Sequence, residues 1–167
     1  ILKTYPHSHV HHFEEATACF DKIDTIRPDI IMVDYLMPRM NGIEFLEALQ
    51  AGGMNIPVIM ITGQGDEGIA VKAMKLGASD YLVKSTDFFA QVPRLIERVM
   101  RERHLKNTLD ETEKRFRDLA EGTSDWIWEV DMEGRYVYSN PMVERITGYT
   151  TEEILQKHFY DLFPTKE

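Results

Sequence analysis

Three residues of different chemistry each close a short apolar run in this 167-residue chain. Asp34 follows Ile30-Ile31-Met32-Val33, Thr62 follows Pro57-Val58-Ile59-Met60-Ile61, and Lys84 follows Tyr81-Leu82-Val83. A carboxylate, a hydroxyl and an ammonium at neighbouring strand ends suit phosphoryl transfer. The carboxylate can serve as nucleophile, and the hydroxyl and the cation can hold the oxygens over which negative charge spreads. Each residue alone is weak evidence. An aspartate after a strand is more often a cap or turn residue, and a lysine there is usually solvated. The ordered set carries the argument. Tyr81, in the last run, has the plain reading of a half-buried strand aromatic.

The elements that must position this set follow from periodicity. The runs are continuous rather than alternating, as in parallel strands buried on both faces. In open parallel sheets, ligands bind at the C-terminal ends of the strands, where all three residues fall. Helical patterns lie between the runs. Ala16 to Ile26 places Ala16, Cys19, Phe20 and Ile23 on one side. Ile43, Phe45, Leu46 and Leu49 follow Asn41-Gly42, and Ile69, Ala70, Ala73, Met74 and Leu76 end at Gly77, a suitable residue just past a helix. This alternation predicts an α/β fold with a parallel sheet and right-handed crossovers.

From Asp87 the character changes. Phe88 to Leu119 has no glycine, and its one proline, Pro93, lies in the first turns. Leu105, Leu109, Thr112, Phe116 and Leu119 are spaced 4, 3, 4 and 3 apart, a heptad seam. The seam is out of phase with Val92, Ile96 and Val99, so a phase break is expected near residues 100–104. One long helix is predicted, pairing with a second copy as a coiled coil; the plainer reading is a solvated linker with a narrow apolar stripe. His104, among charges, reads as solvated. After Gly122, Trp126 to Val130 and Arg135 to Tyr138 flank Asp131-Met132-Glu133-Gly134, a β-hairpin pattern stopped by Asn140-Pro141. Thr150 and Glu153 form a capping-box pattern. Two strands and short helices cannot bury a domain core alone.

Composition narrows the class. The formal charge is −9, from 28 acidic and 19 basic residues, which opposes contact with nucleic acid. No apolar run approaches the ~20 residues needed to cross a bilayer. Cys19 is the one cysteine. It reads as a buried filler, and it points to a reducing, cytoplasmic setting.

Pro28 to Gly42, with Asp34-Tyr35-Leu36-Met37-Pro38 at its centre, resembles the phosphorylation segment of response-regulator receiver domains. Pro57 to Thr62 and Gly77-Ala78-Ser79-Asp80-Tyr81-Leu82-Val83-Lys84 resemble the family's later signatures. The resemblance covers about residues 1–104 and implies a flavodoxin-like, doubly wound sheet. It implies Asp34 as phosphoacceptor, Thr62 as switch hydroxyl, Tyr81 as switch aromatic and Lys84 as phosphoryl-binding lysine. It also implies Mg²⁺ held by Asp34 and the Leu36 backbone carbonyl, and a histidine kinase or phosphotransfer protein as donor. Ser85 stands where the family usually has proline. The family's first strand and the acidic pair after it are not found: Ile1 to Tyr5 reads as the end of the first helix, and His9 to Phe13 as the second strand. Mg²⁺ prefers a shell of hard oxygens, so its affinity is expected to be poor, and the chain is read as truncated before Ile1. The alternative is a pseudo-receiver, not phosphorylated, that acts as a protein-interaction module. A haloacid-dehalogenase-type phosphatase would need a second aspartate at Leu36. His7, His9 and His11 would share one face of that second strand and could suit Zn²⁺ or Ni²⁺; ordinary polar residues on an edge strand are the favoured reading.

Residues from about 114 to 167 resemble the opening of a PAS sensory domain, through Glu113 to Glu121, Asp125-Trp126-Ile127-Trp128, Asp131 to Gly134, Tyr138 to Pro141 and Thr147-Gly148-Tyr149. Trp126 and Trp128 are expected as core aromatics, with the PAS ligand left open. The organisation expected is a receiver over 1–104, a helix over 87–119 running from it, and the N-terminal half of a PAS domain over 120–167. The chain would work as a cytoplasmic signalling protein, a homodimer through Leu105, Leu109, Phe116 and Leu119. No kinase motif occurs in it, although a longer parent could be a sensor histidine kinase.

Overall fold

A strand with no polar face is stable only when both its faces are covered. In the computed structural model, which describes residues 8–63 and 66–162, the apolar runs meet that condition. The chain divides into two units, Ile1–Lys106 and Asn107–Glu167.

In the first unit, β1 (Ile31–Asp34), β2 (Val58–Thr62) and β3 (Asp80–Val83) form a parallel sheet in the order β1-β2-β3. Asp34 lies opposite Ile61, and Thr62 opposite Val83. Alternate strand residues face opposite layers. Val33, Val58 and Met60 pack with α1 (Ala16–Ile26), α2 (Gly42–Ala51) and Ala73 of α3 (Glu67–Lys75). Ile59 and Leu82 pack with Val92, Leu95 and Val99 of α4 (Phe88–Gly122). The sheet is thus covered on both faces, as the doubly wound reading requires. Phe45 is buried at the centre of the first layer, its ring centroid 4.7 Å from that of Phe20; burial of such a side chain is worth about 1.5–3 kcal/mol. Cys19 packs against the same layer, and partial burial pushes its thiol pKa up.

Local chemistry sets the helix ends. Asn41 Oδ1 accepts from the Ile43 and Glu44 amides, while Glu44 accepts from the Asn41 amide, a capping box at the start of α2. Asn41→Ala is expected to lower stability by about 1 kcal/mol, read as a shift of the urea midpoint; an unchanged midpoint would show that the box contributes nothing. At the other end of α3, Gly77 adopts φ +82°, the left-handed turn that glycine makes without penalty.

The expected strand at His9 to Phe13 is not formed: residues 8–13 are irregular. In the sheet order that the resemblance implies, that strand pairs with a first strand and not with β1. No such strand stands among the described residues, so its amides and carbonyls would find no ladder. The shared histidine face therefore has no strand to rest on, and His7 lies outside the described residues.

α4 runs for 35 residues with Pro93 near its start. Val92, Leu95 and Val99 are buried, while Leu105, Leu109 and Leu119 are more than half exposed. The change in burial falls where the apolar phase breaks. No helix among the described residues is long and apolar enough to cross a membrane.

In the second unit, β4 (Trp128–Val130) and β5 (Tyr136–Ser139) pair antiparallel. The turn is closed by Asp131, whose carboxylate accepts from the Glu133 and Arg135 amides. α5 (Met142–Thr147), α6 (Thr151–Ile154) and a 3₁₀ turn (Phe159–Leu162) follow. The Thr150/Glu153 capping box is present. Tyr136, Val143 and Ile154 form the core, with Trp126 against it. Trp128 departs from expectation. It is nearly half exposed, because it lies on β4 with its ring edge-on to Tyr136 rather than beneath it.

Candidate functional site

The parallel register brings the three strand ends to one rim. The Tyr35 amide donates to Ile61 O, and the Lys84 amide donates to Thr62 O, each at 2.8 Å. Asp34, Thr62 and Lys84 therefore lie on consecutive strands at the C-terminal edge.

Both oxygens of Asp34 are engaged. Oδ1 accepts from the Leu36 amide at 3.2 Å, and Oδ2 is bonded to Lys84 Nζ. The pair is partly exposed, so an incoming group can reach it. Leu36 itself is 72% exposed; its side chain takes no part in the core, and its backbone is what serves the rim. Thr62 is the opposite case. It is 1% exposed, and among the described residues its Oγ1 has no hydrogen-bond partner. An unmet buried hydroxyl costs about 1–3 kcal/mol, and none of the described residues meets this one.

The turn after Asp34 is held by Gly42. Its amide donates to Tyr35 O at 3.0 Å. A Cβ there would stand 2.6 Å from Met60 Sδ and 2.7 Å from the Asp34 carbonyl oxygen. Only a glycine lets α2 begin so close beneath the acidic residue.

Tyr81 is not drawn into this set. It sits on β3 opposite Met60, is nearly half exposed, and lines a surface groove with Gln91, Arg94 and Arg98 of α4. No hydrogen bond joins it to Asp34, Thr62 or Lys84 among the described residues.

The Mg²⁺ implied by the resemblance finds no complete shell. Among the described residues no group of three or more His, Cys, Asp or Glu side chains is placed to hold a metal ion. Asp34 is already held by Leu36 and Lys84, so the residues present do not by themselves fit the ion.

Two polar organisers escaped the sequence reading. Asp66 Oδ2 accepts from the Gly63 amide at 3.0 Å, right beside Thr62; an aspartate ahead of a predicted helix was a visible cap signal. In the second unit Asn140 is buried, donates to Ala120 O and Asp125 O, and accepts from the Ile127 amide. Its place before a proline read simply as a strand stop.

Comparison with known proteins agrees with this geometry. The family model for the response regulator receiver domain matches residues 1–98, and the PAS fold model matches residues 114–167. The chemotaxis protein CheY of Listeria monocytogenes is 38% identical over 71 residues, which make up 42% of this chain and 60% of that protein. The transcriptional regulatory protein FixJ of Bradyrhizobium diazoefficiens is 39% identical over 72 residues, 43% of this chain and 35% of that one. The sensor histidine kinase TmoS of Ectopseudomonas mendocina is 25% identical over an alignment taking in 84% of this chain and 18% of its own length. This chain thus spans less than two thirds of each of these relatives. Among solved structures, FixJ-N superposes with a TM-score of 0.53 at 34% identity, over 60% of this chain and 79% of that one. The receiver domain of a putative Luxo repressor from Vibrio parahaemolyticus gives a TM-score of 0.58 at 22% identity, over 65% of this chain and 82% of that one, a likeness of fold. The chain belongs to the response regulator receiver domain family, and a PAS fold follows in the same chain.

Proposed function

We propose that this protein is a phosphorelay component in which Asp34 accepts a phosphoryl group from a histidine kinase or phosphotransfer protein. The observation that carries the reading is the rim itself: Asp34 is bonded to Lys84, beside a buried Thr62 hydroxyl that has no partner among the described residues. An Asp34 oxygen attacks phosphorus. The new O–P bond forms as the bond to the donor breaks, and the donor leaves with the electron pair. Lys84 Nζ then neutralises charge on the transferred group, and Thr62 Oγ1 donates to one of its oxygens. Mg²⁺ would supply further charge neutralisation in a receiver that has its full acidic set.

The test is intact-mass spectrometry of the full-length gene product after incubation with acetyl phosphate and Mg²⁺. A single added phosphoryl group that hydroxylamine removes is expected; a protein that stays unmodified overturns the reading. One observation favours a second reading, a pseudo-receiver that only binds other proteins: the acidic metal set is incomplete among the described residues. The same experiment decides between them.

In this reading α4 is the output path. Once Asp34 is phosphorylated, Thr62 moves toward it and Tyr81 packs inward, shifts of the kind that bias a two-state element. The helix carries that bias toward the PAS segment. Its exposed seam of Leu105, Leu109, Phe116 and Leu119 suits a second copy, giving a parallel homodimer. The domain division is read as a receiver over 1–104, a helical connector over 87–119 and PAS sequence from 120, working in the cytoplasm. Leu109→Lys with Phe116→Lys is expected to turn the dimer into a monomer by light scattering. Phe116 also packs at a tilt against Tyr138, with ring centroids 5.8 Å apart, so Leu105→Lys with Leu109→Lys is the companion variant. A mass unchanged in both, or a wild type that is monomeric at roughly tens of micromolar, contradicts the seam.

A further inference from the structure

The amide next to Thr62 is occupied by a carboxylate of the chain itself. Along a parallel strand, successive residues turn their backbone groups to opposite neighbours. Ile61 O accepts from Tyr35 on the β1 side, and Thr62 O accepts from Lys84 on the β3 side. Carried one residue past the end of β2, the same alternation would turn the Gly63 amide to the β1 side, where Asp34 lies. Asp66 Oδ2 takes that amide at 3.0 Å.

Asp66 does this at a cost to its own helix. It is the N-cap residue of α3, yet its side chain makes no cap bond, although aspartate is among the best capping residues. Only its backbone carbonyl serves the helix, accepting from the Ile69 and Ala70 amides. A negative group thus holds the amide donor next to Thr62, and the first-turn amides of α3 lack the side-chain cap that residue could give. On the adjacent residue, the buried Thr62 Oγ1 has no partner among the described residues, a second and independent donor open to an incoming oxygen.

We propose that Asp66 is an internal competitor for the phosphoryl group. In the resting chain its carboxylate holds the Gly63 amide; a phosphoryl oxygen on Asp34 takes that amide over, and Asp66 is released to cap α3. This rests on the reading of Asp34 as the phosphoacceptor. Asp66 is a positioning residue: it sets how readily the site accepts the group and couples acceptance to the start of α3. The two negative groups repel each other and compete for that one donor, so each weakens the other's hold on it.

The experiment compares wild-type full-length protein with Asp66→Ala and Asp66→Asn. Two quantities are followed: the rate of labelling by limiting acetyl phosphate with Mg²⁺, and hydrogen exchange at the Gly63 amide. Asp66→Ala is expected to label about five-fold faster, the factor that corresponds to one hydrogen bond's net worth. Asp66→Asn, which keeps an acceptor oxygen but no charge, should fall between. Exchange at Gly63 should be faster in Asp66→Ala than in wild type. If wild type is labelled and Asp66→Ala is labelled equally or more slowly, the competitor role is wrong. If wild type is never labelled, the Asp34 reading fails instead, and Gly63 exchange still decides: no difference between wild type and Asp66→Ala overturns the Asp66 contact, and faster exchange in the variant supports it.

Discussion

Asp34→Asn is expected to leave the full-length protein folded and to remove acetyl-phosphate labelling altogether. Asparagine has the same shape, and its carbonyl oxygen can still accept from the Leu36 amide, as Oδ1 of Asp34 does. What it lacks is the second anionic oxygen. The position that now meets Lys84 becomes an amide nitrogen with two hydrogens, a donor facing a donor, and a neutral amide is not a competent nucleophile for phosphorus. The folded state should hardly respond, because the Asp34–Lys84 pair is partly exposed and such pairs contribute little to stability. The signature is therefore loss of labelling with the thermal midpoint close to wild type. Labelling of the variant at the wild-type rate would mean that another residue accepts the group.

Lys84→Ala carries the second-largest expected effect. Its ammonium is the one cation bonded to Asp34 among the described residues. As phosphorus is transferred, negative charge collects on oxygens close to that ammonium. Loss of one preorganised donor of this kind lowers rates by about 10²–10³-fold. The strand end should survive, since the Lys84 backbone amide, and not the side chain, makes the 2.8 Å bond to Thr62 O. Stopped-time labelling of wild type and variant, with the amount of folded protein matched, gives the ratio. A variant as fast as wild type would remove Lys84 from the site.

These expectations rest on features that differ in how plainly the sequence carried them. The three strands were legible because a parallel strand buried on both faces has no polar alternation to confuse it, and Asp34, Thr62 and Lys84 fell at their ends for the same reason. The long helix was legible from the absence of glycine between Phe88 and Leu119. The capping boxes and the glycine turns are short-range signals, and Thr150/Glu153 and Gly77 behave as local rules require. The strand expected at His9 to Phe13 failed because pairing is not local: a segment of acceptable composition still needs a neighbour to bond to. Trp128 misled for a related reason, since which face of a two-stranded hairpin is covered depends on the elements packed against it. Asp66 could be seen as a helix cap, but its turn back to Gly63 depends on the spatial path of the loop, which periodicity does not encode. Thr62 was placed by its strand, whereas the lack of a partner for its hydroxyl among the described residues is a fact of three dimensions.

The central claim is that one carboxylate, at position 34, takes the phosphoryl group. An aspartyl phosphate is an acyl phosphate, and borohydride reduces it to the alcohol, which converts the aspartate to homoserine. Full-length protein is labelled with acetyl phosphate and Mg²⁺, reduced with borohydride, digested, and sequenced by tandem mass spectrometry. Homoserine at position 34 alone, absent from an unlabelled control, is the result expected. Homoserine at another aspartate, or none in a protein that has gained a phosphoryl group, would contradict the account.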